Sequence, residues 1–89
     1  MNHITIPSQG YELAADWYDG NSGEVLLVLV GYASSKQNYQ DMITAIVEQT
    51  GTSALVLDYR GHGESPLTLG EVSPEQNLAD VLTAYDWIV

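Results

Sequence analysis

The sequence predicts an α/β fold in which an antiparallel hairpin is followed by a βαβα unit with parallel central strands. Two short strand patterns flank a turn near the N-terminus, and two strongly apolar strand patterns come later. A helical pattern follows each of these apolar strands. Strand, helix and strand in this order are typical of a parallel βαβ unit.

The hairpin is predicted from "HITIP" and "YELAADWYD", which are short strand patterns separated by the turn "SQG". "DGNSG", residues 19–23, turns the chain again, because Gly and Asn tolerate a positive φ. Its acidic and amide residues lack the ligand spacing and terminal Glu of a calcium loop. We therefore predict a turn here, and no metal site in the chain.

Two strongly apolar strands are predicted after the hairpin. "VLLVLV", Val25–Val30, is apolar at six successive positions. Such a strand is expected to be covered on both faces, as in parallel sheets flanked by helices. It is therefore predicted to be a central strand, and "SALVLDY", Ser53–Tyr59, has a shorter version of the same pattern.

A helix with recognisable ends lies between these strands. Ser34 and Gln37 have the spacing of a capping box, and Gly51 is expected to end the helix. Apolar residues recur at helical spacing between the two ends. They are Tyr39, Met42, Ile43, Ile46 and Val47.

The second helix is predicted to begin at Ser73. Pro74 suits the first helical position, and Gln76 completes a capping box with Ser73. No Gly or basic last turn caps the closing "YDWIV". The predicted apolar face consists of Leu78, Val81, Leu82 and Tyr85.

Composition excludes several classes of partner. Twelve carboxylates stand against two cations, Lys36 and Arg60, which gives a net charge of −10 in 89 residues. Binding to nucleic acid or to an anionic membrane surface is therefore not expected. The absence of cysteine excludes a disulfide framework and thiolate metal sites. The chain has no signal-peptide pattern and no apolar run long enough to span a membrane, so we predict a cytoplasmic protein. No cofactor is predicted.

The stretch "LDYRGHGESP" contains residue types used in nucleophilic catalysis. His62 and Ser65, with an acid such as Asp58 or Asp86, could be base, nucleophile and orienting group. However, His62 and Ser65 are three residues apart in a Gly-rich loop, and Asp58 is better placed to accept hydrogen bonds from the turn. A dinucleotide fingerprint is also incomplete, because Pro66 replaces its third glycine. We predict that the stretch frames an active site without being one.

The other strand-to-helix connection, "VGYASSK" at residues 30–36, leaves an apolar strand at its carboxyl end. Open α/β sheets place their ligand crevice there. Backbone N–H groups of this loop could therefore face an oxyanion that develops during a reaction.

These features together carry a resemblance. They are the apolar strand ending in Gly31-Tyr32, the helix after it, the "LDYRGHGES" turn and the helix "SPEQNLADVLTAYDWI". From about Glu24 to Val89, the sequence resembles the N-terminal portion of the α/β-hydrolase superfamily, in particular serine hydrolases of the esterase, lysophospholipase and acyl-peptidase type.

The resemblance implies roles for individual residues. The backbone N–H of Tyr32 is the candidate oxyanion-hole donor, while Val30 and Gly31 replace the usual His-Gly pair. Turn glycines and neighbouring residues support the site and are not catalytic. These supporting residues are Gly31, Arg60, Gly61, Gly63 and Ser65.

In this family, a nucleophile elbow G-x-S-x-G follows the second helix, and the acid and histidine come later. None of the seven serines lies in that motif. We therefore expect residues 1–89 to be an incomplete α/β-hydrolase domain that lacks the triad and is inactive alone. The complete enzyme is expected to hydrolyse carboxylic esters or related acyl bonds of small molecules by a Ser-His-Asp mechanism. The alternative is a small non-catalytic α/β binding or interaction module.

The family's strand order also predicts an interaction surface. It places the second apolar strand between the hairpin and Val25–Val30, so that Val25–Val30 becomes an open edge. An apolar edge without Lys or Pro is a template for association. We therefore expect the isolated chain to fold poorly or to self-associate through this edge.

Overall fold

Four strands and two helices form the fold in the computed structural model, which describes residues 1–31, 34–67 and 69–89. Short 3₁₀ helices at Lys36–Tyr39 and Leu69–Glu71 precede the two α-helices. The strands are β1 (Asn2–Ser8), β2 (Tyr11–Tyr18), β3 (Val25–Leu29) and β4 (Ser53–Asp58), and the helices are α1 (Gln40–Thr50) and α2 (Pro74–Ile88).

The predicted hairpin is formed by β1 and β2, which pair antiparallel from Asn2 opposite Trp17 to Ser8 opposite Tyr11. The two residues of its turn, Gln9 and Gly10, have φ values of 48° and 85°. Two successive positive φ angles match the twist of a tight hairpin turn. The predicted "SQG" turn therefore sets the register of the pair.

The sheet has the strand order β1-β2-β4-β3. β4 pairs antiparallel with β2 and parallel with β3, where Leu29 lies opposite Leu57. The carboxyl ends of β3 and β4 therefore meet at the same edge of the sheet. This mixed sheet confirms the predicted fold class.

The two helices cover opposite faces of the sheet, and each face has its own apolar core. On the α2 face, the buried residues are Ile6, Leu13, Ala15, Leu55, Leu57 and Ala84. On the α1 face, they are Tyr18, Val30, Ile43, Ala54 and Val56. β4 contributes to both cores, since its successive side chains point to opposite faces.

Val25–Leu29 is an edge strand of this sheet, as the family's strand order predicts, and not the central strand that its apolar run alone predicts. All six residues of β4 are buried, whereas the apolar residues of β3 are partly exposed. Val25 and Leu26 are each 39% exposed and Leu29 is 46% exposed. The reason is the strand order, which pairs β3 only with β4 in the part of the chain that the structure describes.

The helix ends agree with the sequence in two cases out of three. Ser73 and Gln76 form the predicted capping box, and Gly51 ends α1 with a φ of 74°. The predicted box of Ser34 and Gln37 is wrong, because the 3₁₀ helix begins at Lys36 and no side chain caps it. Instead, the N–H of Lys36 donates to a carboxylate of the Asp58 side chain at 2.7 Å.

The face that α2 turns toward the sheet also differs from the prediction. Asp80 and Ala84 are the buried residues of this helix. Leu78, Leu82 and Tyr85 are 58%, 55% and 56% exposed. The helix is rotated because Asp80 pairs with the buried Arg60 beneath it. On α1, Met42, one of the apolar residues that recur at helical spacing, is 54% exposed.

No helix within residues 1–31, 34–67 and 69–89 has the length and apolar character needed to cross a membrane. The cytoplasmic location stays a prediction.

Residues 19–23 form the expected turn, in which the N–H groups of Asn21 and Ser22 donate to the carbonyl of Gly51 at 2.7 and 2.9 Å.

Candidate active-site frame

The loop after β3 and the turn after β4 meet at the carboxyl edge of the parallel strands, where open α/β sheets bind ligands. The side chain of Asp58 joins them. Its Oδ1 accepts a hydrogen bond from the N–H of Lys36 at 2.7 Å, and its Oδ2 accepts one from the N–H of Glu64 at 3.1 Å. One carboxylate therefore fixes both segments.

Asp58 is fully buried. Burial raises the pKa of its carboxyl above the ordinary value, although the N–H groups of Glu64 and Lys36 and the Lys36 ammonium act in the opposite direction. The sequence-based expectation that Asp58 serves the turn agrees with these contacts. Its carboxylate is occupied by backbone donors and does not orient a histidine.

The two glycines of the turn have positive φ angles, 84° at Gly61 and 49° at Gly63. At Gly63 there is also no room for a side chain, because a Cβ would lie 2.1 Å from Oδ2 of Asp58. The N–H of Gly61 donates to the carbonyl of Pro66 at 3.0 Å, which closes the turn. The glycines thus allow the backbone to wrap around the Asp58 carboxylate.

Ser65 and His62 do not form a nucleophile and base pair. The Ser65 hydroxyl donates to the carbonyl of Asp58 and accepts the N–H of Ala14 at 2.8 Å. His62 is buried, with its Nδ1 3.1 Å from the carbonyl of Arg60 and its ring centroid 4.2 Å from that of Tyr59. The proton of Ser65 therefore goes to a backbone carbonyl and not to an imidazole.

Replacing Ser65 by alanine is expected to destabilise the protein without removing a catalytic group. The variant leaves the N–H of Ala14 and the carbonyl of Asp58 without their side-chain partner. Unsatisfied buried groups of this kind cost about 1–3 kcal/mol each. Urea unfolding measures the loss, and Ser65→Thr, which keeps a hydroxyl, should recover part of it. An unchanged midpoint for Ser65→Ala would contradict this role.

Arg60 connects the turn to α2 and to the hairpin. Its Nε lies 3.0 Å from both carboxylate oxygens of Asp80, and its backbone N–H donates to the same carboxylate at 2.8 Å. Its Nη2 donates to the Gln9 side chain at 2.6 Å, and Ser8 donates to Asp80 at 2.7 Å. Arg60 is 2% and Asp80 0% exposed. This buried pair holds the turn in place.

Lys36 is the second buried cation and belongs to the same frame. Its Nζ lies 2.5 Å from Oε1 of Glu64 and 3.4 Å from Oδ1 of Asp16. Burial on its own would lower the pKa of Lys36, but the Glu64 and Asp16 carboxylates raise it above the ordinary value. The ammonium in turn lowers the pKa of Glu64. Both cations of the sequence are therefore buried and paired with carboxylates, of which Asp16 and Asp80 are buried and Glu64 is exposed.

The candidate donor Tyr32 lies outside the described residues. Next to it, the N–H of Gly31 donates to the Tyr39 hydroxyl at 2.8 Å, and the carbonyl of Gly31 accepts the N–H of Ser34 at 2.8 Å. The N–H of Gly31 is therefore already used within the fold. The oxyanion role of Tyr32 and the supporting roles of Gly31, Arg60, Gly61, Gly63 and Ser65 stay predictions.

The sequence analysis did not identify Asp80, Asp16 or Lys36 as parts of this frame. Asp80 lies on the buried side of α2, and Lys36 reaches a carboxylate 28 positions away in the chain. The only available signal was the scarcity of cations, since a lone arginine among twelve carboxylates has many potential partners. Spacing does not identify which one it takes.

Comparisons with known proteins agree with the fold and with a hydrolase relationship. No protein-family model matches the chain. An sn-1-specific diacylglycerol lipase, ABHD11 of Xenopus tropicalis, is 45% identical over 56 residues, which are 62% of this chain and 18% of the lipase. An uncharacterised protein of Mycobacterium tuberculosis is 29% identical over 89 residues, with 96% of this chain and 30% of that protein covered.

Solved structures with the same fold cover almost all of the chain. Est1E of Butyrivibrio proteoclasticus, with bound ferulic acid, matches at a TM-score of 0.82 and 17% identity over 94% of this chain and 36% of its own. Mouse α/β-hydrolase domain-containing protein 10 matches at a TM-score of 0.79 and 17% identity, over 100% of this chain and 36% of its own. The Vigna radiata epoxide hydrolase VrEH1 matches at a TM-score of 0.80 and 22% identity, over 98% of this chain and 28% of its own.

The chain thus spans less than a fifth of the lipase that it matches and about a third of these solved hydrolases. The matches to the solved structures cover 94–100% of this chain and therefore include the hairpin, the parallel strands and both helices. The resemblance predicted from the sequence is therefore confirmed: residues 1–89 have the fold of the N-terminal portion of the α/β-hydrolases.

Proposed function

We propose that residues 1–89 form the N-terminal part of an α/β-hydrolase domain that hydrolyses carboxylic esters or related acyl bonds by a Ser-His-Asp mechanism. The observation that carries the proposal is the Asp58 carboxylate, which joins the loop after β3 to the turn after β4 at the ligand-binding edge of the sheet. The 45% identity to a diacylglycerol lipase supports an acyl substrate.

In the proposed reaction, an elbow serine outside residues 1–89 attacks the acyl carbonyl carbon while a histidine takes its proton. The carbonyl oxygen becomes an oxyanion, which the backbone N–H of Tyr32 helps to stabilise. Collapse of the intermediate expels the alcohol, which receives the proton from the histidine, and water then releases the acid by the same steps. The residues of this chain supply the frame and one backbone donor.

The role of Tyr32 leads to a prediction. Losing an oxyanion donor typically costs about 10²–10³ in kcat. Tyr32→Ala keeps the backbone N–H, so it should cost much less than replacement of the nucleophile. Steady-state ester hydrolysis by the intact protein measures both variants. A loss for Tyr32→Ala as large as that of the nucleophile variant would contradict a backbone role.

The proposal also concerns the chain by itself. None of its seven serines lies in G-x-S-x-G, and Ser65 is occupied by the fold. Residues 1–89 alone should therefore show no turnover of p-nitrophenyl acetate or butyrate, whereas the intact protein that contains them should hydrolyse such esters. Turnover by residues 1–89 alone would contradict the proposal. Epoxide but no ester hydrolysis by the intact protein would replace the serine mechanism by that of the epoxide hydrolases.

We further propose that residues 1–89 self-associate when produced alone. The outer edge of β3 carries the partly exposed Val25, Leu26 and Leu29, and Leu78 and Leu82 of α2 are also exposed. Light scattering should give a mass above 9.7 kDa, and Leu26→Lys should shift it toward the monomer because charge blocks edge pairing. A monomer with a cooperative thermal transition would contradict this and favour the alternative, a small module that folds alone.

A further inference from the structure

We infer that Asp58 and Tyr59 are positioning residues that hold the two flanks of the loop at residues 30–36, Val30 on one side and Lys36 on the other. The inference rests on the proposed function, because it assigns these two residues to the candidate oxyanion loop. Asp58 is the last residue of β4 and Tyr59 follows it directly, so one strand end holds both flanks.

The first flank is held by Tyr59. Its hydroxyl donates to the carbonyl of Val30 at 2.8 Å. The ring packs against both apolar cores and lies beside the imidazole of His62, so the hydroxyl has a fixed direction. A tyrosine hydroxyl is protonated at neutral pH and can therefore donate. Burial raises the pKa of Tyr59 further, and Tyr39 adds to this.

The second flank is held by Asp58. The N–H of Lys36 donates to its Oδ1, and the ammonium of the same lysine pairs with Glu64 at 2.5 Å. Because the N–H of Glu64 donates to Oδ2 of Asp58, Lys36 is connected to the turn through both its backbone and its side chain. The loop cannot move at this flank without breaking both contacts.

A third contact closes the loop from within, since the Tyr39 hydroxyl accepts the N–H of Gly31. The described parts on both sides of residues 32 and 33 are therefore fixed. Oxyanion donors act only when they lie about 2.7–3.1 Å from the developing charge. A displacement of about 1 Å can cost roughly 10²-fold in rate. Loosening a flank should therefore lower kcat more than it changes KM.

Tyr59→Phe tests the first flank, because it removes only the hydroxyl and keeps the packed ring. Tyr18→Phe is the matched control. Tyr18 is 4% exposed in the core of the α1 face, and its hydroxyl has no hydrogen-bond partner among the described residues. Asp58→Asn tests the second flank, because an amide cannot accept from both Lys36 and Glu64 through two oxygens.

Three measurements are made on the intact protein that contains this chain: ester hydrolysis kinetics, amide hydrogen exchange and thermal unfolding. For Tyr59→Phe and Asp58→Asn, we expect kcat for p-nitrophenyl butyrate to fall roughly 10- to 100-fold with KM within about twofold. Amide hydrogen exchange across Gly31–Lys36 should quicken about five- to tenfold, the effect of one lost hydrogen bond. Tyr18→Phe should change neither, and the thermal midpoints identify any variant that fails to fold.

The outcomes separate this inference from the proposed function. Unchanged exchange at residues 30–36 in both variants would show that Asp58 and Tyr59 do not hold the flanks of the loop, and would overturn the inference. Faster exchange with unchanged kcat would overturn the positioning role and leave the hydrolase proposal standing. If the intact wild-type protein hydrolyses no ester, the proposed function fails and the positioning role fails with it. The exchange data would still show whether Asp58 and Tyr59 hold the flanks of the loop.

Discussion

Replacing Asp80 by alanine is expected to lower the free energy of unfolding by about 3–5 kcal/mol, the typical cost of breaking a buried ion pair from one side. The Arg60 guanidinium would lose its only carboxylate partner in the described chain while staying buried. The Ser8 hydroxyl and the backbone N–H of Arg60 would lose an acceptor as well. The total free energy of unfolding of a native domain is only about 5–15 kcal/mol, so this loss would be a large part of it.

The measurement is urea unfolding followed by circular dichroism. Asp86→Ala is the matched control, because Asp86 belongs to the same helix but is exposed, so it should change stability by less than about 0.5 kcal/mol. Asp80→Asn should fall between the two, since the amide oxygen still accepts while the charge is lost. An Asp80→Ala midpoint equal to that of Asp86→Ala would contradict the importance of this pair.

Replacing Gly63 by alanine should have the second largest effect. A left-handed backbone costs a non-glycine residue about 1–2 kcal/mol. In addition, the new Cβ would lie 2.1 Å from Oδ2 of Asp58, so the carboxylate or the turn must move. The hydrogen bonds from Lys36 and Glu64 depend on that carboxylate. We therefore expect a total loss of at least about 2 kcal/mol.

Gly10→Ala separates the two causes. Gly10 has a φ of +85° but nothing within 4 Å of its virtual Cβ, so the variant reports the backbone cost alone. Thermal and urea unfolding of both variants measure the difference. Equal losses would show that the contact between Gly63 and Asp58 adds nothing. A larger loss for Gly63→Ala supports the wrapping of the turn around the carboxylate.

The elements that the sequence predicts best are those with local signals. The capping box of Ser73 and Gln76 and the helix end at Gly51 lie within a few residues of the groups that they satisfy. The hairpin follows from two strand patterns and a short turn. The fold class follows from the order of these elements, so it too could be predicted without any long-range contact.

The face of α2 could not be predicted in this way. Apolar periodicity favoured Leu78, Val81, Leu82 and Tyr85, but the buried ion pair with Arg60 turns Asp80 inward. The two partners are 20 positions apart, and their pairing depends on the tertiary fold. The edge position of β3 could be predicted only from the family's strand order, because an apolar run indicates the covering that a strand needs and not its strand partners.

In the candidate site, too, features with a local sequence signal could be predicted, and features that depend on long-range contacts could not. The glycines and Asp58 could be assigned to the turn from the "LDYRGHGES" pattern alone. The contact between Ser65 and Ala14 joins residues 51 positions apart, and it decides that the Ser65 hydroxyl is structural. That contact, and the one from Lys36 to Asp58, become visible only when the loop, the turn and the hairpin are brought together.

Labelling with a fluorophosphonate tests the central claim, that residues 58–66 frame an active site whose nucleophile lies elsewhere. The intact protein is labelled, digested and mapped by mass spectrometry. The account predicts a labelled serine outside residues 1–89, with Ser65→Ala still labelled. A label on Ser65, lost in Ser65→Ala, would show that the turn itself is the catalytic centre and would contradict the account.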